Sequence, residues 1–381
     1  MIIPHRTFLT SPAVAFLLAA QKVDAFVSPS AQSFSVNYVS ESRIVCKATS
    51  TTGNSGNPLD SLLAIFDNKI SSTGSSKKNF RMAQSLLTSL INDEKCFDSL
   101  DGAQKFADSC DLNVVYEDTF EPQPIVGRAA VAEHLRAKVK ARIGGDDGTR
   151  DAKFRIDKIS DGSKACGFAW TWTTSTLEGL RGTTFVELNE SNQIQYVREI
   201  PEPLYKPGDL TLELLKAVTA DATPRDPPEF VQRTPKKANE VAKYLFEEVQ
   251  GGSVDESMRF FDESIVYRDF NYEDVLKGKD EVRKFIEDFS FPGITFNPQR
   301  FDDGEMSTCF TWEVLLEGAP EGESIKGISY YEVNDSGLIT YVRDVPESAI
   351  KPPILGKLAR QFRPALGVFR PVTIGSRDGG M

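Results

Sequence analysis

The sequence predicts an α+β fold built twice in tandem, each copy a curved antiparallel sheet with helices on one face. Three observations predict it. First, the chain repeats itself: residues 182–203 (GTTFVELNESNQIQYVREIPEP) and 327–348 (GISYYEVNDSGLITYVRDVPES) share ten of 22 positions without a gap. Upstream, Val115-Tyr116-Glu117-Asp118 matches Val266-Tyr267-Arg268-Asp269, and eleven residues after each Tyr comes a Gly–basic pair, Gly127-Arg128 and Gly278-Lys279. Between these blocks Trp170-Thr171-Trp172 aligns with Phe310-Thr311-Trp312. Second, within each copy the apolar period changes from helical to alternating. Third, seven prolines crowd residues 201–235, which reads as a linker between copies.

Copy one is placed at 77–218, the linker at 219–235 and copy two at 236–365; each copy opens at a Lys-Lys pair and closes on an amphipathic segment. In copy two, Val241, Leu245, Phe246 and Val249 recur at helical spacing until Gly251-Gly252 stops them. Met258, Phe260 and Phe261 predict a second short helix. A strand carries Tyr267 and Asp269, and residues 280–289 (DEVRKFIEDF) predict a third helix. Three alternating strands follow at 308–316, 325–333 and 338–344, the last two joined by the turn Asn334-Asp335-Ser336-Gly337. In copy one, alternation puts Phe168, Trp170 and Trp172 on one strand face. It likewise puts Ile194, Tyr196 and Arg198 on one face of the last strand.

The termini differ from this body. Residues 1–25 hold Arg6, an apolar stretch at 11–20 and a small residue before Phe26, the pattern of a signal peptide. Residues 26–50 have eight Ser or Thr and one acid, a transit-peptide composition. Together they resemble the bipartite plastid presequences of diatoms and related algae, which implies a plastid stromal destination; plain secretion with a disordered linker is the other reading. Residues 51–76 predict an extension with a short helix. The tail, 366–381 together with the preceding basic and apolar stretch, has six bases and no acid over 348–377. It suits ordinary packing, or docking on an anionic thylakoid surface or an acidic partner.

Composition narrows the chemistry. The net charge of −11 argues against nucleic acid. Two histidines, His5 and His134, leave no paired-His metal centre, so no metal or cofactor is expected. Five scattered cysteines read as reduced, buried thiols. His134 reads as a solvated or capping residue.

The order of elements, with a strand ending in acid, a loop, Gly and a helix (Glu117-Asp118…Gly127 and Arg268-Asp269…Gly278), resembles the nuclear transport factor 2-like superfamily. That superfamily, of cystatin-like fold, includes SnoaL-like cyclases and ketosteroid isomerase. The resemblance implies two tandem cone-shaped α+β barrels, each a curved sheet closed by helices around an apolar pocket. It also implies a pseudo-dimer of the two copies within the chain, paired through the outer sheet faces.

By the same resemblance, Asp118 and Asp269 take the general-base position, Tyr244 an oxyanion-donor position, and Ser329 and Thr184 the place of a second donor. Copy one has Ser85 near the counterpart of Tyr244, so it lacks the phenol. Arg198 and Arg343 share a face with Tyr196 and Tyr341, and if that face is inward they reach Asp118 and Asp269. Three readings of each Asp then stand: a structural ion pair, an anion-binding Arg beside a free carboxylate, or proton transfer. Trp172 and Trp312 are core residues or stacking partners for a pigment or other aromatic ligand. The expectation drawn from this set is a non-catalytic binding or assembly module holding an apolar small molecule or a photosynthetic partner. The alternatives are an acid/base isomerase, cyclase or dehydratase with Asp269 as base, and a structural scaffold with filled cones.

Overall fold

The computed structural model describes residues 81–121, 123–143, 153–173, 178–203, 206–224, 226, 228–319 and 324–347. The expected presequence, the 51–76 extension and the basic tail lie outside the described residues. Copy one runs α1 (Met82–Asn92), α2 (Leu100–Asp108), β1 (Cys110–Asp118), β2 (Ile125–Val126), α3 (Arg128–Ile143), β3 (Lys153–Ile159), β4 (Ala165–Thr173), β5 (Glu178–Leu188), β6 (Ile194–Pro201) and α4 (Asp209–Val218). Copy two runs α5 (Ala238–Lys243), a π-helical turn (Tyr244–Val249), α6 (Val254–Met258), β7 (Phe261–Asp269), β8 (Leu276–Lys277), α7 (Lys279–Asp288), β9 (Ile294–Phe301), β10 (Ser307–Leu316), β11 (Ile325–Val333) and β12 (Ile339–Pro346).

The two sheets have the same order, β2-β1-β6-β5-β4-β3 and β8-β7-β12-β11-β10-β9. Both are open and mixed, with β1 parallel to β6 and β7 parallel to β12. The curved sheet covered by helices is thus as expected, and the one departure is that each expected antiparallel sheet contains a parallel pairing at its centre. Besides the two-residue β2 and β8, the strands β3 and β9 escaped the sequence pattern. Both are edge strands, where charges are tolerated, and Pro298 sits within β9 because an edge need not donate every ladder bond. Phe261, expected in a short helix, begins β7 instead.

One face of each sheet packs under its helices. In α1, Ala83, Leu86, Leu87, Leu90 and Ile91 follow helical spacing and all are buried against that face. The start of α3 and of α7 is a glycine with positive φ, +95° at Gly127 and +86° at Gly278, a backbone that side chains resist. This is why the Gly–basic pair repeats. Gly182 and Gly327 have a different role: a Cβ there would lie 2.3 Å from the Trp170 ring and 2.0 Å from the Trp312 ring. Each Trp lies over the glycine opposite it in the register, Trp170 over Gly182 and Trp312 over Gly327. The counterpart of Trp312 is thus Trp170, not Trp172 as the sequence match suggested.

A bulge reverses part of the expected face assignment. Leu188 pairs with Ile194 but Glu187 with Tyr196, and Val333 pairs with Ile339 but Glu332 with Tyr341. The extra residue, Gln195 or Thr340, flips every side chain after it. Ile194 and Val197 therefore join the helix-side core, while Tyr196 turns to the opposite face. Arg198 and Arg343 turn away with the tyrosines.

Those opposite faces share a third apolar cluster that includes Phe185, Tyr196 and Ile200 of copy one with Cys309, Ile328 and Tyr330 of copy two. Polar contacts across it come in reciprocal pairs. Lys158 meets Glu332 at 2.8 Å, and Arg300 meets Glu187. Asp161 accepts from the backbone N–H groups of Glu305 and Ser307, each at 3.0 Å, while Asp303 accepts from those of Ser163 at 2.7 Å and Lys164 at 2.9 Å. Buried Asp302 sits beside this clasp, accepting from Ser160 Oγ at 2.5 Å, Thr308 Oγ1 at 2.6 Å and the Cys309 N–H at 2.8 Å. Asp302→Ala leaves those donors without an acceptor, and the expected loss is about 3 kcal/mol in urea unfolding. An unchanged midpoint would show that the clasp is not cohesive.

Candidate acid–base site

The parallel pairing at each sheet centre sets two carboxylates side by side. In copy two the register joins Asp269 of β7 to Asp344 of β12; in copy one it joins Asp118 of β1 to Glu199 of β6. All four point to the helix side, in phase with the core residues Tyr267 and Val342 or Tyr116 and Val197. The chain has built the same acid pair twice.

The helix above decides what each pair does. Seven and eleven residues past the helix-starting glycine, α3 presents His134 and Lys138, whereas copy two has Phe285 and Phe289. The rings occupy matching places: Tyr116 lies 5.4 Å from His134, and Tyr267 lies 5.3 Å from Phe285.

In copy one the acids are sealed and neutralised. Lys138 Nζ reaches Asp118 Oδ2 at 2.8 Å and Glu199 Oε1 at 2.6 Å. His134 Nε2 lies 3.0 Å from Asp118 Oδ2, and its Nδ1 lies 3.6 Å from Glu121 Oε1. Tyr116 donates its hydroxyl to Glu199. Burial alone would raise the Asp118 carboxyl, but Lys138 and His134 together hold it well below the usual carboxylate range. A carboxylate so stabilised is a poor base. His134, expected at the surface or in a cap, is in fact a buried member of this cluster.

In copy two no such cation descends from the helix. Burial, and then the neighbouring Asp344, push Asp269 up to about 7, opposed by the Asn271 N–H and by the charge of Lys206. Burial raises Asp344 to about 6 despite hydrogen bonds from Ser329 Oγ and the Tyr267 hydroxyl. The Tyr267 phenol is itself raised by burial and then by Asp344, so it stays protonated and donates. Both acids remain partly exposed, unlike Asp118 and Glu199, which are buried. The Phe285 ring packs on Tyr267, and Tyr272 and Phe289 pack in turn on Phe285. A pair of carboxyls near neutrality can hold one proton between them and exchange it with a ligand.

The sequence-derived candidates divide sharply. Asp269 and Ser329 belong to this site, and Trp312 Nε1 donates to Ser329 Oγ at 2.7 Å, fixing it. Thr184 plays the same part for Trp170 at 2.9 Å in copy one. Tyr244 does not reach Asp269: its hydroxyl donates to Glu256 at 3.0 Å. Trp172 lies in the copy-one core beneath the Arg142 guanidinium, 4.4 Å from its ring. Arg198 and Tyr196 both bond Glu117 at 2.6 Å on the far face. Arg343 contacts Thr183 there at 2.9 Å, and Tyr341 packs against the inter-sheet cluster. The expected Arg–Asp pairs are therefore absent among the described residues, because the bulge turned both guanidiniums outward. Sequence reasoning missed Asp344, Glu199, Lys138 and His134. The signal for the first two was present, since the matched strands both place an acid directly after the Arg.

Two open sheets roofed by helices, with paired acids at the centre of each, define α+β domains with a candidate site on the helix-covered face. A family model bears on copy two: that of the SnoaL-like domain matches residues 241–342. No curated protein matches the chain. Among solved structures, a protein with a cystatin-like fold from Methylobium petroleophilum is similar at 17% identity over 30-odd per cent of this chain (34%) and 84% of its own, with a TM-score of 0.27. The epoxide hydrolase/cyclase-like enzyme SalBIII, of pyran ring formation in the polyether salinomycin, is similar at 19% identity, covering 29% of this chain and 89% of its own, TM-score 0.25. A steroid delta-isomerase from Pseudomonas aeruginosa follows at 12%, covering 33% and 85%, TM-score 0.25.

Proposed function

We propose that the second domain binds an apolar small molecule against its helix-covered face and moves a proton on it, with Asp269 as base. The observation that carries this reading is the acid pair Asp269–Asp344, raised to about 7 and about 6 and left partly exposed. A base poised near the working pH is most effective, since it is both ionised and basic enough to act. Asp269 would abstract a proton from carbon beside a carbonyl. The same carboxyl, now protonated, would return the proton to the neighbouring atom, while Asp344, accepting from the Tyr267 and Ser329 hydroxyls, stays ionised and keeps Asp269 basic. An isomerase, cyclase or dehydratase step fits that exchange. Copy one, with its acids neutralised, would serve as the structural half. The plastid destination and the docking of the tail remain proposals from the composition of residues 1–50 and 348–381.

The test uses β-tetralone, an apolar ketone with an acidic α-hydrogen, in deuterated buffer. The full chain is expected to accelerate α-deuteration, measured by mass spectrometry, with an apparent pKa near 7, and Asp269→Asn to lose about a hundredfold of that acceleration. Equal exchange by both proteins would reject the base. Binding without exchange would return the domain to a carrier.

A further inference from the structure

Between the two sheets, on the face away from the acid pairs, lies a cleft of about 200 Å³. Arg155, Lys158, Arg181, Arg268 and Arg343 line it, with Asp157 as the one lining acid. Three of these cations are already matched. Arg155 meets Asp157 at 2.9 Å, Lys158 meets Glu332 at 2.8 Å, and Arg181 meets Glu202 at 2.7 Å. Arg268 and Arg343 have no carboxylate within ion-pair distance among the described residues.

These two residues are partners in the β7–β12 register, and both guanidiniums lie over the Phe270 ring, at 5.9 Å and 4.2 Å from its centre. Like charges so placed repel. Arg343 is also 5% exposed, held by Thr183 Oγ1, the Gly182 carbonyl at 3.2 Å and the Phe270 ring at 4.2 Å. A charge this buried without a counter-charge is costly. Copy one shows how the same position is settled when nothing needs to bind. There Glu117 stands where Arg268 stands, and it accepts from Arg198 at 2.6 Å. Exchanging that acid for a base leaves the second copy short of about two negative charges at one walled spot.

We propose that this cleft is a binding site for a small oxyanion of two or more charges, a phosphate-bearing or polycarboxylate molecule clamped between Arg268 and Arg343. Forked guanidinium donors suit both groups. The site is separate from the acid–base site, since it opens on the opposite sheet face.

The experiment titrates the full chain calorimetrically with inorganic pyrophosphate, and in a second arm with citrate, at constant ionic strength set by sodium chloride. One anion per chain is expected to bind in at least one arm, and the arm that binds names the chemistry. Arg268→Glu rebuilds the copy-one arrangement, so it is expected to weaken binding by at least about tenfold while raising the anion-free melting temperature. Arg268→Gln, which only removes charge, should weaken binding in the same direction should the Glu variant not fold. Absence of binding in both arms, or binding undiminished in the variants, overturns the site.

Discussion

Lys138→Met is expected to destabilise the protein by about 3–5 kcal/mol at neutral pH, the largest single effect in the molecule. Lys138 bridges both acids of copy one, at 2.8 Å and 2.6 Å, and Met preserves its apolar stem while removing its charge. Asp118 and Glu199 would then face each other in a buried site. The pH dependence distinguishes this cause from lost packing. In the native protein the Asp118 pKa is depressed, so its contribution is present above the usual carboxylate range and lost as pH falls through the lower folded value. Without Lys138 burial would dominate and the pKa would rise, so the variant should be most damaged at pH 8 and least at pH 5. Urea unfolding at both pH values checks this. A deficit independent of pH would show that Lys138 acts through packing alone. Adding Asp118→Asn and Glu199→Gln to the variant should recover most of the loss.

Phe289→Lys is the converse experiment, and its effect should be equally plain. Phe289 holds the place in copy two that Lys138 holds in copy one, and it is partly exposed, so a charge can enter without cost to the core. The new ammonium is expected to bring Asp269 and Asp344 down toward the ordinary carboxylate range and to abolish proton transfer to a ketone. Stability carries the sign. Both acids have folded pKa values above their unfolded ones, so their contribution is complete in acid and is lost as pH rises through about 6 and about 7. The native protein should therefore lose stability between pH 5 and pH 8 from this pair, by an amount of order 3 kcal/mol. Phe289→Lys should remove most of that slope. Carboxyl-carbon NMR titration reads the pKa values directly. Unmoved values would mean that the helix does not govern the pair.

The contrast between the halves was partly visible without coordinates. Counting from Gly127 and Gly278 places His134 beside Phe285 and Lys138 beside Phe289, an exchange of cations for rings that needs no structure to notice. Its meaning did need one. The sequence shows neither that the helix lies above the strand ends nor that an acid after the Arg shares a face with Asp118 or Asp269. Periodicity carried straight through the last strand put Arg198 on one face with Ile194, and a single inserted residue separates them.

The repeat, most of the order of helices and strands, and the tight turns were determined by the sequence alone, because each depends on residues within a few places of one another or on direct comparison of the two copies. Tertiary structure decided which face each strand residue takes, which acids meet, and which charges lack a partner. Those outcomes depend on the register of strands distant in the chain, and on a bulge whose unpaired residue has no local mark. Two acid pairs in the same strand register thus acquire opposite electrostatic fates from side chains on a helix that only folding sets above them.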